Sequence, residues 1–289
     1  MIQCIHRNQL DVAKYNACIA TSIQSRIYAY AWYLDCVCEE WRVLVLDDYK
    51  AVMPLPYRRK YGFRYISQPF FTQQLGVFSK APLSSELIAI FVGHIPTYLL
   101  KVHLQFNSEN RFTKEPVVMQ SNFILDLQGT YSDLYARFSK GRKHAIQQGI
   151  KKKVHWQEVS FDEVLRLSRA QYSFQDIAEK EYRKLTKLIA IAKDKNKVKI
   201  IGVRENAELI GGAVFLLGAK RIVYLFAAVS PRGKKLQVPS LLLNAVIQEH
   251  AGSSKILDFE GSVRPGIAAF FKSFGAEVET YGVLKKSLL

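Results

Sequence analysis

Val43-Leu-Val-Leu-Asp-Asp-Tyr-Lys-Ala-Val-Met-Pro-Leu-Pro-Tyr-Arg-Arg-Lys-Tyr-Gly-Phe-Arg-Tyr-Ile-Ser-Gln-Pro69 and Lys199-Ile-Ile-Gly-Val-Arg-Glu-Asn-Ala-Glu-Leu-Ile-Gly-Gly-Ala-Val-Phe-Leu-Leu-Gly-Ala-Lys-Arg-Ile-Val-Tyr-Leu-Phe-Ala-Ala-Val-Ser-Pro231 carry one pattern twice. Each is three short apolar runs separated by turn residues, which predicts a three-stranded antiparallel meander. Helix-like segments precede and follow each meander, so the same order recurs over half the chain. Two related α+β units with mixed sheets are expected. The boundary is placed between a first domain, 1–128, and a second, 129–289.

Outward from the first meander, Asp11 to Ile23 and Ala29 to Cys38 return apolar residues at spacings of three and four, as helices do. Ser84-Ser-Glu-Leu begins a further helix that Pro96 stops, and Lys101 to Asn107 and Val117 to Leu127 read as strands. Tyr131 to Gly149 is an amphipathic connector, basic on one side. Val154 to Val159 reads as a strand, and Phe161 to Phe174 and Glu179 to Asp194 as helices. After the second meander come a helix from Ser240 to His250, a strand from Lys255 to Glu260, a helix from Pro265 to Phe274 stopped by Gly275, and a last strand from Val278 to Lys285.

Of the 289 residues 49% are hydrophobic, enough for a substantial core, and the length suits about two domains of ~150 residues. No apolar run reaches the ~18 residues of a membrane span, and Met1-Ile-Gln-Cys-Ile-His-Arg has no long apolar core of a secretory leader. A cytoplasmic protein without a membrane span is expected. All four cysteines fall within the first 38 residues, with no second Cys or His pair at zinc-ligand spacing, so reduced thiols and no metal are expected. Nothing in the sequence fixes an oligomeric state. The formal charge of +16 attracts phosphates, whether of nucleic acid, nucleotide or lipid. The densest run, Arg137, Lys140, Arg142, Lys143, His144 and Lys151 to Lys153, is either a solvated helix face or a phosphate- or RNA-facing surface.

Ser230-Pro-Arg-Gly-Lys-Lys-Leu-Gln-Val-Pro239 leads from a strand directly into a helix, a geometry suited to anions: Gly233 admits a close approach, Arg232, Lys234 and Lys235 supply charge, and the first N–H groups of the helix at Ser240 face outward. Asp258-Phe-Glu260 is the acidic candidate. On one strand Asp258 and Glu260 share a side, and such a pair offers a general base or substrate anchor. The alternative is that Glu260 pairs with Arg264 or caps the next helix. Tyr224, mid-strand, points into the same cleft or packs in the core. His144, His155 and His250 are scattered, with no nucleophile turn to complete a triad.

Strand, Arg-Gly loop, helix, strand, helix and strand is an order that resembles the GNAT-type N-acetyltransferases. The tandem arrangement resembles the Fem-type aminoacyl and peptidyl transferases. The residues that carry the likeness are Ser139-Lys-Gly-Arg-Lys-His-Ala-Ile-Gln-Gln-Gly149, Asp258-Phe-Glu-Gly-Ser262 and Phe270-Phe-Lys-Ser-Phe-Gly275. The resemblance implies an N-acyltransferase that moves an acyl group from acetyl-CoA or another acyl-CoA to an amine, borne by a small molecule or a cell-wall precursor. It implies donor contacts at Ala227, Val229, Arg232, Gly233, Lys234, Lys235 and Ser240, acceptor contacts at Arg142, Lys143, Asp258 and Ser262, and catalytic roles for Glu260 and Tyr224. The first unit resembles a degenerate copy on the acceptor side, since Ser67-Gln-Pro-Phe-Phe-Thr-Gln-Gln-Leu-Gly76 has no basic residue. Two alternatives stand beside this: aminoacyl-tRNA as donor, bound along the basic connector, and a non-catalytic nucleotide- or RNA-binding module. The last is favoured by Lys235 where the loop usually has a second small residue, and by Phe270-Phe271 where a tyrosine acid often stands.

Overall fold

The computed structural model describes residues 1–99, 101–113, 116–171, 177–261 and 265–287. In chain order the first half forms β1 (Ile2–His6), α1 (Val12–Thr21), α2 (Ala31–Val37), β2 (Glu40–Leu46), β3 (Ala51–Lys60), β4 (Phe63–Ser67), β5 (Phe78–Ser79), α3 (Ser85–Gly93) and β6 (Lys101–Gln105). There follow β7 (Val117–Asp126), α4 (Tyr131–Ala136), α5 (Lys140–Lys151), β8 (Trp156–Glu158), α6 (Phe161–Gln171), α7 (Glu179–Asp194), β9 (Val198–Glu205), β10 (Glu208–Leu217), β11 (Arg221–Val229), α8 (Pro231–Lys235), α9 (Val238–His250), β12 (Ile256–Asp258), α10 (Pro265–Lys272) and β13 (Glu277–Ser287). No helix among the described residues is long and apolar enough to cross a membrane.

The chain divides into two compact units, one of Met1–Ser121 with Glu279–Leu289 and the other of Asn122–Val278. The first unit orders its strands β1-β2-β3-β4-β6-β13, and the second β8-β9-β10-β11-β12-β7. The strand order expected from the two meanders therefore occurs twice. In each unit four strands run antiparallel in sequence, the fifth pairs parallel to the fourth, and the sixth pairs antiparallel to the fifth. Two differences from the sequence reading stand out. The strand β1 at Ile2–His6 is additional, and β13, read as closing the second domain, pairs with β6 in the first unit through Val283↔Gln105 to Ser287↔Lys101. The matching place in the second unit is taken by β7.

Local chemistry explains the meanders. One hairpin of each meander turns on two left-handed residues, β3–β4 on Tyr61 and Gly62 (φ 50° and 80°) and β9–β10 on Asn206 and Ala207 (φ 49° and 69°), the conformation whose twist suits adjoining strands. Pro54 and Pro56 fall in β3 between the residues that pair with β5 (Ala51, Val52) and those that pair with β4 (Tyr57 to Lys60), where missing N–H groups cost the ladder least. Helix starts carry their own caps: Asp11 accepts from Lys14 N–H, Ser84 from Leu87 N–H, and Thr130 and Asp133 form a reciprocal capping box. The connector expected as one helix is broken. Ser139 caps a fresh helix by accepting from Arg142 N–H, so α4 and α5 are separate. The second unit buries Phe215, Ile222, Val246, Ile247, Leu257 and Phe274 completely. The first does the same with Tyr15, Tyr28, Tyr33, Phe91 and Phe106.

Candidate active site of the second unit

β11 and β12 are paired only through Arg221↔Ile256, Ile222↔Leu257 and Val223↔Asp258. Beyond that point they part. Phe259 N–H donates to the Phe123 carbonyl at 3.0 Å, so the chain after β12 follows β7, and Glu260 then turns left-handed at φ 58°. β11 runs on with β10, through Ala213↔Ala227 and Gly211↔Val229, and a bulge leaves Leu225 without an opposite number. Its other backbone edge, from Tyr224 to Val229, has no strand partner among the described residues. A parted pair of parallel strands is the usual ligand crevice of an open sheet, since the ladder between them is interrupted there.

The apex of the parting is held by a buried charge. Asp258, fully buried, accepts from Arg221 Nη1 at 2.9 Å, from Asn122 Nδ2 at 3.0 Å and from the Glu260 N–H at 3.0 Å. With its oxygens so engaged, Asp258 fastens the strands and is not exposed to an acceptor. The expectation that Asp258 and Glu260 share one strand face is also corrected, because β12 ends at Asp258 and the backbone reverses hand at Glu260. Ser262 and Arg264 lie outside the described residues. Tyr224 is half-buried, with its ring 5.3 Å from Phe215 and perpendicular to Phe271 at 6.2 Å. It joins an aromatic wall in which Phe271 stacks on Phe259 at 4.8 Å.

The turn after β11 differs from the open anion loop expected of it. Ser230 Oγ accepts from Gly233 N–H at 3.0 Å, Lys234 N–H goes to the Ser230 carbonyl at 3.0 Å, and the segment winds into α8. Gly233 has a packing reason: a Cβ there would stand 2.2 Å from the Ile210 carbonyl oxygen. Arg232 is engaged in a two-pronged pair with Glu205 at 2.6 and 2.7 Å, which holds that carboxyl below its ordinary range. At the start of α9, Gln237 is left-handed (φ 61°), Ser240 and Leu241 N–H both donate to its carbonyl, and Pro239 has no N–H. Lys234 and Lys235 remain exposed.

Arg142 and Ser240, by contrast, are brought together. On α5, Arg142, Ile146 and Gly149 lie at helical spacing on one face, and a Cβ at Gly149 would meet Leu241 at 2.7 Å, so this face seats tightly on α9. There Arg142 Nη1 donates to Ser240 Oγ, and Nε to Ser273 Oγ at 2.9 Å. Its guanidinium also lies 4.3 Å from the Phe270 ring centre and 4.7 Å from that of Phe274. Lys143 turns away, donating to the Ala136 carbonyl at 2.9 Å. The partners that the sequence reading missed are Asn122, Arg221 and Ser273. A signal for one existed: Arg221 opens an otherwise apolar run, and a buried cation requires an acid elsewhere.

The first unit has the same parting in a closed form. β4 and β6 pair through Ile66↔Val102 and Ser67↔His103, after which Gln68 enters the gap. Its Oε1 accepts from Gln105 N–H at 3.0 Å, and its Nε2 donates to the Thr72 and Gln73 carbonyls at 2.9 and 3.3 Å. Leu75 N–H then donates to the Gln105 carbonyl at 2.9 Å, and Leu75 bridges Phe106 as a substitute strand.

Compared with solved structures, the chain is similar to FemX over 97% of its own length and 96% of that chain, with a TM-score of 0.70 at 9% identity. It is similar to a tandem GNAT protein from the clavulanic acid biosynthesis pathway over 99% and 98% of the two chains, with a TM-score of 0.55 at 9% identity. The chain has the tandem GNAT/Fem-like fold. A third structure of this kind is the C-terminal domain (DUF2156) of a putative lysylphosphatidylglycerol synthetase from Agrobacterium fabrum, with a TM-score of 0.57 at 11% identity over 94% and 90% of the chains. No protein-family model matches the sequence, and no curated protein matches it. In the tandem GNAT/Fem-like frame, then, the second unit keeps its strands apart and the first has filled the corresponding gap.

Proposed function

We propose that the second unit catalyses transfer of an acyl group from an acyl-CoA, acetyl-CoA or another, to the amine of a small molecule or cell-wall precursor. The observation that carries this reading is the parting of β11 from β12 beyond Val223↔Asp258, a crevice between parallel strands along which an amide-bearing donor arm fits beside β11. Bound acyl-CoA supplies an activated thioester carbonyl. The chain's own groups do the rest. N–H groups of the edge between Ala227 and Val229 stabilise negative charge developing on a carbonyl oxygen, and the wall of Tyr224, Phe259 and Phe271 excludes water. Glu260, just past the apex and half-buried, accepts the proton that the attacking amine loses, and as the C–S bond breaks the CoA sulfur leaves as a thiolate that takes a proton from solvent. A reducing, cytoplasmic setting suits the four free cysteines, Cys4, Cys18, Cys36 and Cys38.

Glu260→Gln tests this assignment. It keeps the side-chain shape but cannot take a proton, so kcat should fall by about 10²-fold with donor affinity preserved. Unchanged specific activity with a lowered Tm would assign Glu260 to structure. Binding of CoA without turnover of any acyl-CoA tried would favour the binding module, for which the closed turn at Ser230 to Leu241 already speaks.

A second reading, aminoacyl-tRNA as donor, is favoured by one observation. From Leu134 to Gln157 the chain carries no carboxylate, while Lys140, Lys151, Lys152 and Lys153 are exposed on or next to α5. RNA held there would lose affinity steeply between ~50 and ~200 mM salt, and CoA far less.

A further inference from the structure

We infer that the β3–β4 hairpin of the first unit docks on an anionic phospholipid bilayer, with Tyr61 and Phe63 entering the interfacial layer and Arg59, Lys60 and Arg64 facing the headgroup phosphates. Such docking requires neither acyl transfer nor a bound donor. The hairpin stands clear of its own sheet. β2 stops at Glu40 opposite Tyr57, and β6 meets β4 only at Ile66 and Ser67. Between those points Arg58↔Tyr65, Arg59↔Arg64 and Lys60↔Phe63 pair with each other and with no further strand among the described residues.

Three features of this ribbon point to a lipid surface. The first is its tip. Tyr61 is 87% exposed and Phe63 61%, on either side of Gly62, and Phe70 is 43% exposed where the Arg58 guanidinium lies 6.0 Å from its ring centre. The turn itself does not call for rings. Tyr61 is left-handed at φ 50°, a conformation that glycine or asparagine takes at less cost than a bulky side chain, and it buries almost nothing in return. A bilayer interface supplies what the rings lack in water, an apolar layer bordered by polar groups. The second feature is charge. From Tyr49 to Ser85 the sequence has no carboxylate. At the near end of β2, Glu40 is shared by Arg42, Arg59 and Arg64 at 3.3, 3.2 and 3.8 Å, so one acid answers three guanidinium groups. Even with Glu39 counted, Arg42, Arg58, Arg59, Lys60 and Arg64 outnumber the acids five to two. Lys60 is exposed with its Nζ 5.3 Å from the Tyr61 ring centre, so cation and ring reach outward together. A cationic base behind an aromatic point complements a surface that is negative outside and apolar within. The third feature is a contrast inside the molecule. The β9–β10 hairpin makes the same kind of turn with Arg204-Glu-Asn-Ala-Glu208, which has no ring, and its charges are engaged by the protein, Arg204 with Glu163 and Glu205 with Arg232. The fold therefore forms this hairpin without exposed aromatics. A single-stranded nucleic acid stacks its bases along a groove or a sheet face, whereas the rings here flank a turn and suit end-on entry.

Co-sedimentation of the whole protein with vesicles tests the assignment. At ~0.1 M salt it should bind phosphatidylcholine vesicles containing about one third phosphatidylglycerol, bind pure phosphatidylcholine at least about tenfold more weakly, and be released at ~1 M salt. Lys60→Gln should weaken binding about fivefold, the worth of one cation at an anionic surface, while Lys152→Gln in the second unit, an equal change of charge, should cost less than about twofold. Tyr61→Asn with Phe63→Thr should lose about tenfold or more with Tm unchanged or raised, since asparagine suits the turn. Tyr61→Trp should keep binding, and bromine on the lipid acyl chains should quench its emission beyond that of the wild type. Absence of binding to the anionic vesicles overturns the inference. So does wild-type binding by the Tyr61/Phe63 variant, or an equal loss in Lys152→Gln, which would assign the attraction to net charge alone. Binding of a single-stranded RNA that needs both rings, with none of vesicles, gives the hairpin to nucleic acid and overturns it as well.

Discussion

In the first unit the gap between β4 and β6 is bridged by a glutamine side chain and a substitute strand, and in the second the gap between β11 and β12 is left open around a buried ion pair. The strand order is the same. What differs is how the backbone groups released by the parting are satisfied. Gln68 takes over the Gln105 N–H, and Leu75 takes the Gln105 carbonyl. In the second unit Asp258 collects its three donors at the apex itself, and no strand pairs with that edge of β11 beyond it among the described residues. A shared fold thus sets where an opening can form, and a few polar side chains decide whether it stays one.

The largest effect should come from the open side. Asp258→Ala strands Arg221 in the core, and loss of one partner from a buried pair costs about 3–5 kcal/mol, to be read from urea unfolding followed by aromatic fluorescence. Replacing both, Arg221→Met with Asp258→Leu, should recover most of that loss; if it does not, the apex depends on the charge pair for its geometry. The closed side should respond less. Gln68→Ala leaves the half-buried Gln105 N–H without its acceptor and should cost about 1 kcal/mol, with donor affinity unaltered. Unchanged stability would mean that Leu75 and its neighbours close the gap unaided. The smallest effect is a pH response with one contributor in each unit. Burial, then Lys285 and Lys101, pushes His103 down; burial, outweighing nearby Glu249, does the same to His250. Both stay neutral when folded, so the unfolded chain takes up their protons first and stability falls as pH drops through ~6.5, flattening once the folded forms titrate. Tm at pH 7.5 and 5.5 should show the drop, and His103→Asn and His250→Asn should each reduce it. A drop unchanged in both variants would remove these two residues as its source.

The repeat was legible because its signals are local: apolar runs of strand length, two-residue turns at Tyr61-Gly62 and Asn206-Ala207, and caps at Asp11 and Ser84 are all written within a few residues. The break between α4 and α5 was legible too, in Ser139 followed by the Lys140 to Lys151 helix, but the amphipathic pattern running through it hid the cap. The site was harder to read because its decisive contacts join distant segments. Arg232, Gly233 and Lys234 looked like an anion loop in isolation. Only Glu205, the Ile210 carbonyl and the Ser230 hydroxyl, brought in by β9, β10 and the turn itself, show that Arg232 and Gly233 are already committed. Arg142 was singled out by its charge, but its orientation depends on Ser240 and Ser273, roughly one hundred residues or more away, and no spacing rule connects them.

The placement of Glu277–Ser287 against β6 makes the second unit, in sequence, an insertion inside the first. The first unit's sheet cannot be finished from contiguous chain: a polypeptide cut after residue 128 retains β1 to β7 but lacks β13, so the edge of β6 that β13 pairs with, Lys101 to Gln105, loses that partner. Closing that ladder requires a loop as long as the whole second unit, an entropic cost that grows slowly with length but delays the contact until the intervening residues have collapsed. Folding order is thereby imposed by connectivity. The half that lies in the middle of the sequence can become compact by itself, and the half that begins the sequence must wait for it, with an unpaired and aggregation-prone edge until then.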